Sequence, residues 1–402
     1  MKLSKVLAFV ILSSLFVIPL LMTATESSTR ARDDAREAPA GFDDETNGYI
    51  SQKSFDDFRA TFNEIEEVED GLGPVFNDTG CGNCHNIPVA GGSSDTLETR
   101  AGRLVNGVFI DHPGGSLVHD QAISPDIVER LQPGEDRTFR SSLNVLGDGF
   151  VEAIADQTII DIYKGQPSDV RGMLIYVPVL EAGGTSRVAR FGWKNQHASL
   201  ESFAADAYLN EMGITSPLQR FENTSDGRDV SKYDTVPDPE DNGDDIQQFV
   251  DFMRATKVPP RGTISTADDK AGQALFEKTG CASCHVPTIA TAPVGTSING
   301  GTFRVPPALG DKVIHPYSDF LLHDIGTGDP IVQNGGQGTY DKVRTPPLWG
   351  LRTRNLLLHD GKSKTISDAI RRHEGQAEKA YSAYKSLSPQ EREQLLTFLE
   401  SL

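Results

Sequence analysis

Apolar side chains recur at three- and four-residue spacing in two widely separated stretches of this 402-residue chain. Ile246, Phe249, Val250 and Met253 make one stripe, and Leu395, Leu396, Leu399 and Leu402 make the other. Each predicts an amphipathic helix that lays one face on a core. The second helix has a well-marked start, with Ser388 as N-cap, Pro389 in the first turn and Glu391 completing a capping box. Ala271, Leu275 and Phe276 predict a further helix, with Gly280 as a plausible C-cap. A short helix is expected from Thr365 to Gly375, with Ile366, Ala369 and Ile370 facing inward. Between these runs the pattern is polar. Asn223 to Asp245 reads as an acidic surface loop, and Gly91 to Asp120 and Val170 to Arg190 as places for a few short strands.

The N-terminus differs from the rest. Lys2 and Lys5 precede an apolar run from Val6 to Leu21, and Met22-Thr23-Ala24 offers small residues for cleavage. Residues 1–24 therefore read as a secretory signal, and an uncleaved anchor is the lesser alternative. Residues 25–47 are charged and poor in large apolar side chains, as in a flexible leader. The remaining ~350 residues suffice for two domains. Val258-Pro259-Pro260-Arg261-Gly262 reads as the joint, which gives domains at 48–260 and 261–402. A net charge of −19 argues against nucleic acid and anionic membranes and favours a basic or amphipathic partner. General solubility explains the charge equally well.

The four cysteines sharpen this picture. They fall in Cys81-Gly82-Asn83-Cys84-His85 and Cys281-Ala282-Ser283-Cys284-His285, two CxxCH motifs with no cysteine to spare. CxxCH is the attachment pattern of c-type haem: two thiols bind the haem vinyl groups, and the adjacent His binds the iron. A four-Cys zinc site is the alternative, but it leaves both His residues unexplained and does not call for export. A Phe sits at the same distance before each motif (Phe76 and Phe276), and Thr-Gly precedes both. Arg140 to Gly147 answers Arg344 to Leu351, and Phe191 to Lys194 with Ser199-Leu200 answers His359 to Lys362 with Thr365-Ile366. The chain is thus an internal repeat of about 200 residues. The expected fold is mainly α, with two tandem cytochrome c-like domains, the first carrying loop and short-strand insertions.

Each iron would have a second axial position. No Met follows Cys281, so Met ligation of the second haem is not expected, and His315, His323, His359 and His373 are the histidines left, beside a few Tyr. His373 is favoured, one turn beyond Ile366, Ala369 and Ile370 on the same side of its helix. His359 and His323 read as structural hydrogen bonders. For the first haem His112, His119, His197 and Met173 are weak candidates, and an open or water-bound position carries the most weight.

Several stretches resemble the dihaem cytochrome c peroxidase superfamily, which includes the methylamine dehydrogenase maturation enzyme. They are Phe191-Gly192-Trp193-Lys194, Glu211 to Thr215, His315 to Asp324 and Arg344 to Gly361. The closer resemblance is to its dihaem oxidoreductase branch, the peroxidase-like or "thiol oxidoreductase" proteins, and it covers roughly residues 45–402. The resemblance implies that Trp193 relays electrons between the haems and that Glu211 is the distal acid/base, with Glu152 as the alternative acid. Counting along the family pattern from the His359-Asp360-Gly361 turn reaches His373 as the distal ligand. The peroxidases have Met there and the maturation enzyme Tyr, so a His would lower the potential of the second haem. The relatives also hold Ca²⁺ between domains, for which this sequence offers no decisive ligand set.

The expected protein is therefore an exported, periplasmic dihaem oxidoreductase. Electrons from a small redox protein (a cytochrome c or cupredoxin) enter at the second haem. They pass via Trp193 to a first haem that reacts with hydrogen peroxide or a protein substrate. The alternatives are a non-catalytic electron-transfer protein, or an accessory to iron acquisition beside an imelysin-like partner.

Overall fold

The computed structural model describes residues 36–263 and 266–402. The expected signal segment lies outside the described residues. Among those described, no helix is long and apolar enough to cross a membrane. Six helices carry the architecture: α1 (Gln52–Phe62), α2 (Leu200–Met212), α3 (Asp244–Ala255), α4 (Thr266–Lys278), α5 (Ile366–Arg371) and α6 (Pro389–Leu399).

The helices pack in pairs, α1 on α3 and α4 on α6. Ile246, Phe249, Val250 and Met253 of α3 are all buried against Phe55 and Phe62 of α1. In the second pair Leu395, Leu399 and Leu402 pack with Leu275, Phe276 and Phe398. Ser388 caps α6 through a complete capping box with Glu391, and Gly280, at φ +88°, turns the chain from α4 into the second CxxCH.

The expectation of a mainly α chain is wrong. Among the described residues 32% are helical and 16% extended, a mixed α/β fold. The largest sheet lies directly after the first CxxCH. Its centre is β1 (Leu97–Val105), which pairs antiparallel with β2 (Val108–Asp111), β3 (Leu117–Val118) and β4 (Asp136–Ser141). Its β1 sequence, Leu-Glu-Thr-Arg-Ala-Gly-Arg-Leu-Val, is too charged to stand out as a buried strand, and much of it is only half covered. Several other strands have only two residues, below the length at which alternation is readable.

Two further strands, β5 (Leu322–His323) and β6 (Val343–Arg344), pair with each other. They belong to a crossed arrangement between the halves. The Arg344 N–H donates to the Trp193 carbonyl (2.7 Å), and the Ser141 N–H donates to the His359 carbonyl (2.8 Å). The turn in each half is thus held by a strand of the other. Residues 36–47, in the stretch expected to be a leader, are docked. Arg36–Glu37 pairs in parallel with Lys312–Val313, and Asn47 donates to the carbonyls of Arg254 and Thr256.

Glu152 ties three elements together. It is fully buried and accepts from Arg254 at 2.7 and 3.1 Å, from the Leu200 N–H at the start of α2 (2.9 Å) and from Asn299 (2.9 Å). Arg254 and these donors hold its pKa below the usual carboxylate range against the effect of burial. The stabilisation is therefore present above the ordinary Glu pKa and is lost as pH falls through the lower folded value. Glu152→Gln should destabilise the protein by about 3 kcal/mol, because buried Arg254 loses its close carboxylate partner and keeps only Asp251 at 3.9 Å. Ser388→Ala, which removes one cap, should cost about 1 kcal/mol. Denaturant unfolding of the two variants checks both values, and equal losses would contradict this ranking.

Candidate haem centres

Each CxxCH forms one tight turn. The His85 N–H donates to the Cys81 carbonyl (2.9 Å), and the His285 N–H to the Cys281 carbonyl (3.0 Å). The two imidazoles are then held alike. Nδ1 of His85 bonds to the Gly92 carbonyl at 3.1 Å, and Nδ1 of His285 bonds to the Tyr317 carbonyl at 2.9 Å. Such a bond places the proton on Nδ1 and leaves the Nε2 lone pair for a metal. Burial lowers both pKa values, that of His285 to about 4, so both rings stay neutral.

A phenylalanine packs on each ring with nearly the same geometry. Phe62 lies 6.3 Å from His85 at 59°, and Phe276 lies 6.3 Å from His285 at 56°. The counterpart of Phe276 is therefore Phe62, not Phe76, which sits in a short strand paired with Gln121–Ala122. The sequence match misled because residues 63–80 separate α1 from the first motif, whereas Thr279-Gly280 alone separates α4 from the second.

The cysteines are free of disulfides. Burial pushes the Cys81 and Cys84 thiols up to about 12 and raises Cys281 as well. Among the described residues no ligand cluster brings the two Cys pairs together, so the four-Cys zinc reading has no support. Three carboxylates, Glu222, Asp238 and Glu240, do approach within 4.8 Å of one another.

A cavity of about 410 Å³ opens in front of the second motif, within the usual range for a large organic ligand, about 300–1,000 Å³. Cys281, Cys284 and His285 line it, together with apolar side chains of α5 and α6. His373 lines it too, with Nδ1 bonded to the Ala369 carbonyl (2.8 Å) and its pKa lowered by burial. It is oriented as the two motif histidines are, with Nε2 left over.

The other histidines of this half have different surroundings. His323 bonds to Asp319 at 2.8 Å, which drives its pKa up to about 10 despite burial, and its Nδ1 lies 3.8 Å from the Cys284 sulfur. His315 is exposed, between Thr288 and Glu37. His359 is not the hydrogen bonder expected of it. It is 1% exposed, neither ring nitrogen has a partner, and it lines the cavity. A buried imidazole with both nitrogens unpaired is costly. Together with the thiols and His373 it fits a cavity shaped for a polar-edged cofactor such as haem.

Trp193 also lines this cavity. Its ring meets His359 edge to face at 6.1 Å, and its Nε1–H donates to the Ser141 carbonyl at 2.7 Å. Ser93, next to the Gly92 that holds His85, lines the same cavity. Trp193 is thus buried between the surroundings of the two motifs.

Around the first motif the groups are acidic. Glu211 ends α2 near both thiols, so that its charge raises the pKa values of Cys81 and Cys84. The N–H groups of Asn77 and Asp78 donate to its carbonyl, and the Asn77 amide donates to its carboxylate at 2.6 Å. Two residues of β1 complete the cluster. Arg100 binds Glu98 at 2.9 and 3.1 Å and reaches 4.0 Å from Glu211. Arg100 holds Glu98 below the usual range, while low-polarity surroundings and the Glu98 charge push Glu211 up to about 8. Glu98 and Arg100 were not found by reading the sequence; two charged side chains at alternate positions of a strand, facing one way, were the available signal.

The weak ligand candidates for the first iron are engaged elsewhere. His112 is clamped between Glu135 (2.9 Å) and Asp226 (2.9 Å). His119 bonds to Glu129 and to the Asn210 carbonyl, both at 2.9 Å. His197 lies 3.1 Å from Asp206, and Met173 packs in a separate apolar cluster with Leu322. Glu152, engaged by Arg254, Leu200 and Asn299, has its pKa held low rather than raised.

No curated protein matches this sequence. Similar solved structures include hydrazine synthase of Kuenenia stuttgartiensis pressurised with xenon: 14% identity, 99% of this chain and 100% of that chain covered, TM-score 0.41. A MauG-like protein associated with microbial copper homeostasis is 14% identical, covering 92% and 93%, at TM-score 0.41. The diheme peroxidase BthA of Burkholderia thailandensis is 12% identical, covering 91% and 94%, at TM-score 0.39. The family model described as "Di-haem oxidoreductase, putative peroxidase" matches residues 120–402. The match takes in Trp193, Glu211, the second CxxCH and His373; the first CxxCH lies upstream of it. The chain belongs to the di-haem oxidoreductase family.

Proposed function

We propose that the protein is an exported c-type dihaem peroxidase in which the second centre relays electrons and the first reduces hydrogen peroxide. The observation that carries this reading is the inequality of the two centres. His285 shares its cavity with a second histidine, His373, whose pKa burial also lowers, whereas Glu211, a carboxylic acid pushed up to about 8, lies beside the thiols of the first motif.

Haem iron, when bound, supplies one-electron exchange at both centres and a site for peroxide at the first. Cys81 and Cys84 would hold one haem covalently, and Cys281 and Cys284 the other. His85, His285 and His373 offer neutral nitrogens to iron. Trp193 offers a buried aromatic bridge between the centres. Reduction of one peroxide to two waters consumes two electrons and two protons. Glu211 carries a proton at neutral pH and can give it to the departing oxygen as the O–O bond breaks. Arg100 then stands by to offset the carboxylate that remains. The electrons come from a small redox protein, and the net charge of −19 favours one with a basic docking face.

Glu211→Gln should slow peroxide reduction by ~10²-fold or more with haem content unchanged; an undiminished rate would move the role to another group. Because Glu211 acts as an acid with a pKa pushed up to about 8, the rate should hold below that pH and decline above it. Glu98→Gln removes the like charge and should shift that decline to lower pH. For the second centre, His373→Gly should convert one haem from low to high spin by electron paramagnetic resonance. A low-spin signal that survives the substitution would refute the ligand assignment. Two low-spin haems in the native protein that ignore peroxide, even after one-electron reduction, would favour a pure electron carrier.

A further inference from the structure

Two guanidinium groups, that of Arg344 buried and that of Arg354 half-buried, line the cavity of the second centre with no anion beside them. Arg344 is 5% exposed and gives Nε to the Gly192 carbonyl at 2.8 Å. Arg354 donates to the carbonyls of Pro347 (2.6 Å) and Trp349 (3.0 Å), and its Nε is buried without a partner. Among the described residues no carboxylate lies within 4.0 Å of either group. Asp148 and Asp319 act on Arg344 only from farther away, and Arg344 itself repels Arg354.

The internal repeat supplies a control. The crossed hydrogen bonds match Ser141 to Arg344, and Arg140 is the buried cation one residue before that position. It is equally buried, yet it is held by Asp329 at 2.9 and 3.3 Å. The neighbouring buried cation, Lys194, lies 3.4 Å from the same Asp329. Buried cations in this protein are therefore given carboxylates, except where they face the cavity. An uncompensated charge out of water is costly unless a ligand neutralises it. The exposed lining is otherwise largely apolar, its remaining polar part being His359, the motif side chains and a rim that includes Asp169, Lys278 and Lys379, so its occupant should be a flat apolar body carrying two carboxylates at its edge.

We propose that Arg344 and Arg354 are the counter-ions of the two propionates of the haem held by Cys281 and Cys284, and that they raise its reduction potential. This deepens the dihaem reading and rests on it. Reduced haem carries one more negative charge than oxidised haem, so nearby cations favour the reduced form. The pair would offset part of the lowering that bis-histidine ligation brings.

The test is a spectroscopic redox titration of the complete protein, with haem content measured as the pyridine haemochrome. Arg344→Gln and Arg354→Gln should each lower the midpoint potential of the low-spin haem and leave the other haem unmoved. Arg344→Lys, which keeps the charge, should restore most of the Arg344→Gln loss. Two haems per chain with unmoved potentials in both Gln variants would overturn the assignment alone. So would an Arg344→Lys variant that falls as far as Arg344→Gln, since packing rather than charge would then be responsible. Should Arg344→Gln fail to fold, Arg354→Gln, which is less buried, decides the question. A native chain with fewer than two haems would overturn the dihaem reading on which this stands.

Discussion

Two crossed hydrogen bonds determine how everything else is arranged. The strand ending in Ser141 closes on the His359 turn, and the strand ending in Arg344 closes on the Trp193 turn. Each half of the repeat thus holds open the turn of the other. The bonds are backbone to backbone and buried, so they are indifferent to side-chain identity and hard to break singly. They bring Trp193 and His359 edge to face at the boundary.

The repeat is near-symmetric in backbone and asymmetric in chemistry. The hairpin Phe191–His197 and the hairpin Leu357–Ser363 are followed at the same distance by helix caps, Ser199 and Thr365. Gly192 and Leu358 both have positive φ, as do Asn195 and Gly361. In this register Trp193 matches His359, two residues away from the match that the sequence suggested. Leu358 at φ +64° takes the strained position that glycine fills in the first half, and it is the residue that sets His359 at the cavity wall. The same scaffold thus presents an indole from one side and an unpartnered imidazole from the other.

Much of the local structure was legible in the sequence, because it is written in local patterns. The two CxxCH motifs, the apolar stripes of α3 and α6, the Ser388 cap and the placement of His373 after Ile370 all depend on residues within a few positions of one another. Trp193 and Glu211 came from resemblance to a family. What escaped depends on long-range pairing. Glu98 and Arg100 reach Glu211 only because β1 follows the first motif and lies against the end of α2. The mixed fold escaped for a similar reason: its strands are short, and they are stabilised by distant partners rather than by their own alternation. Phe62 was hidden by the insertion at residues 63–80, and the missing partners of His359 and Arg354 are properties of a cavity.

One physical effect, removal from water, builds both centres with opposite consequences. Burial disfavours the charged form of any group. For an imidazole that form is the protonated one, so His85, His285 and His373 are driven to the neutral state in which Nε2 can bind iron. For a carboxylic acid it is the deprotonated one, so Glu211, although its side chain is only part-buried, is pushed up to about 8 by low-polarity surroundings and the Glu98 charge. Local partners then decide the exceptions. Asp319 makes His323 a cation, and Arg254 keeps Glu152 an anion; each thereby loses the protonation state that ligation or acid catalysis would need. The candidates worth testing are therefore those in which no ion pair reverses the effect of low polarity. By that criterion His373 is preferred over His323, and Glu211 over Glu152.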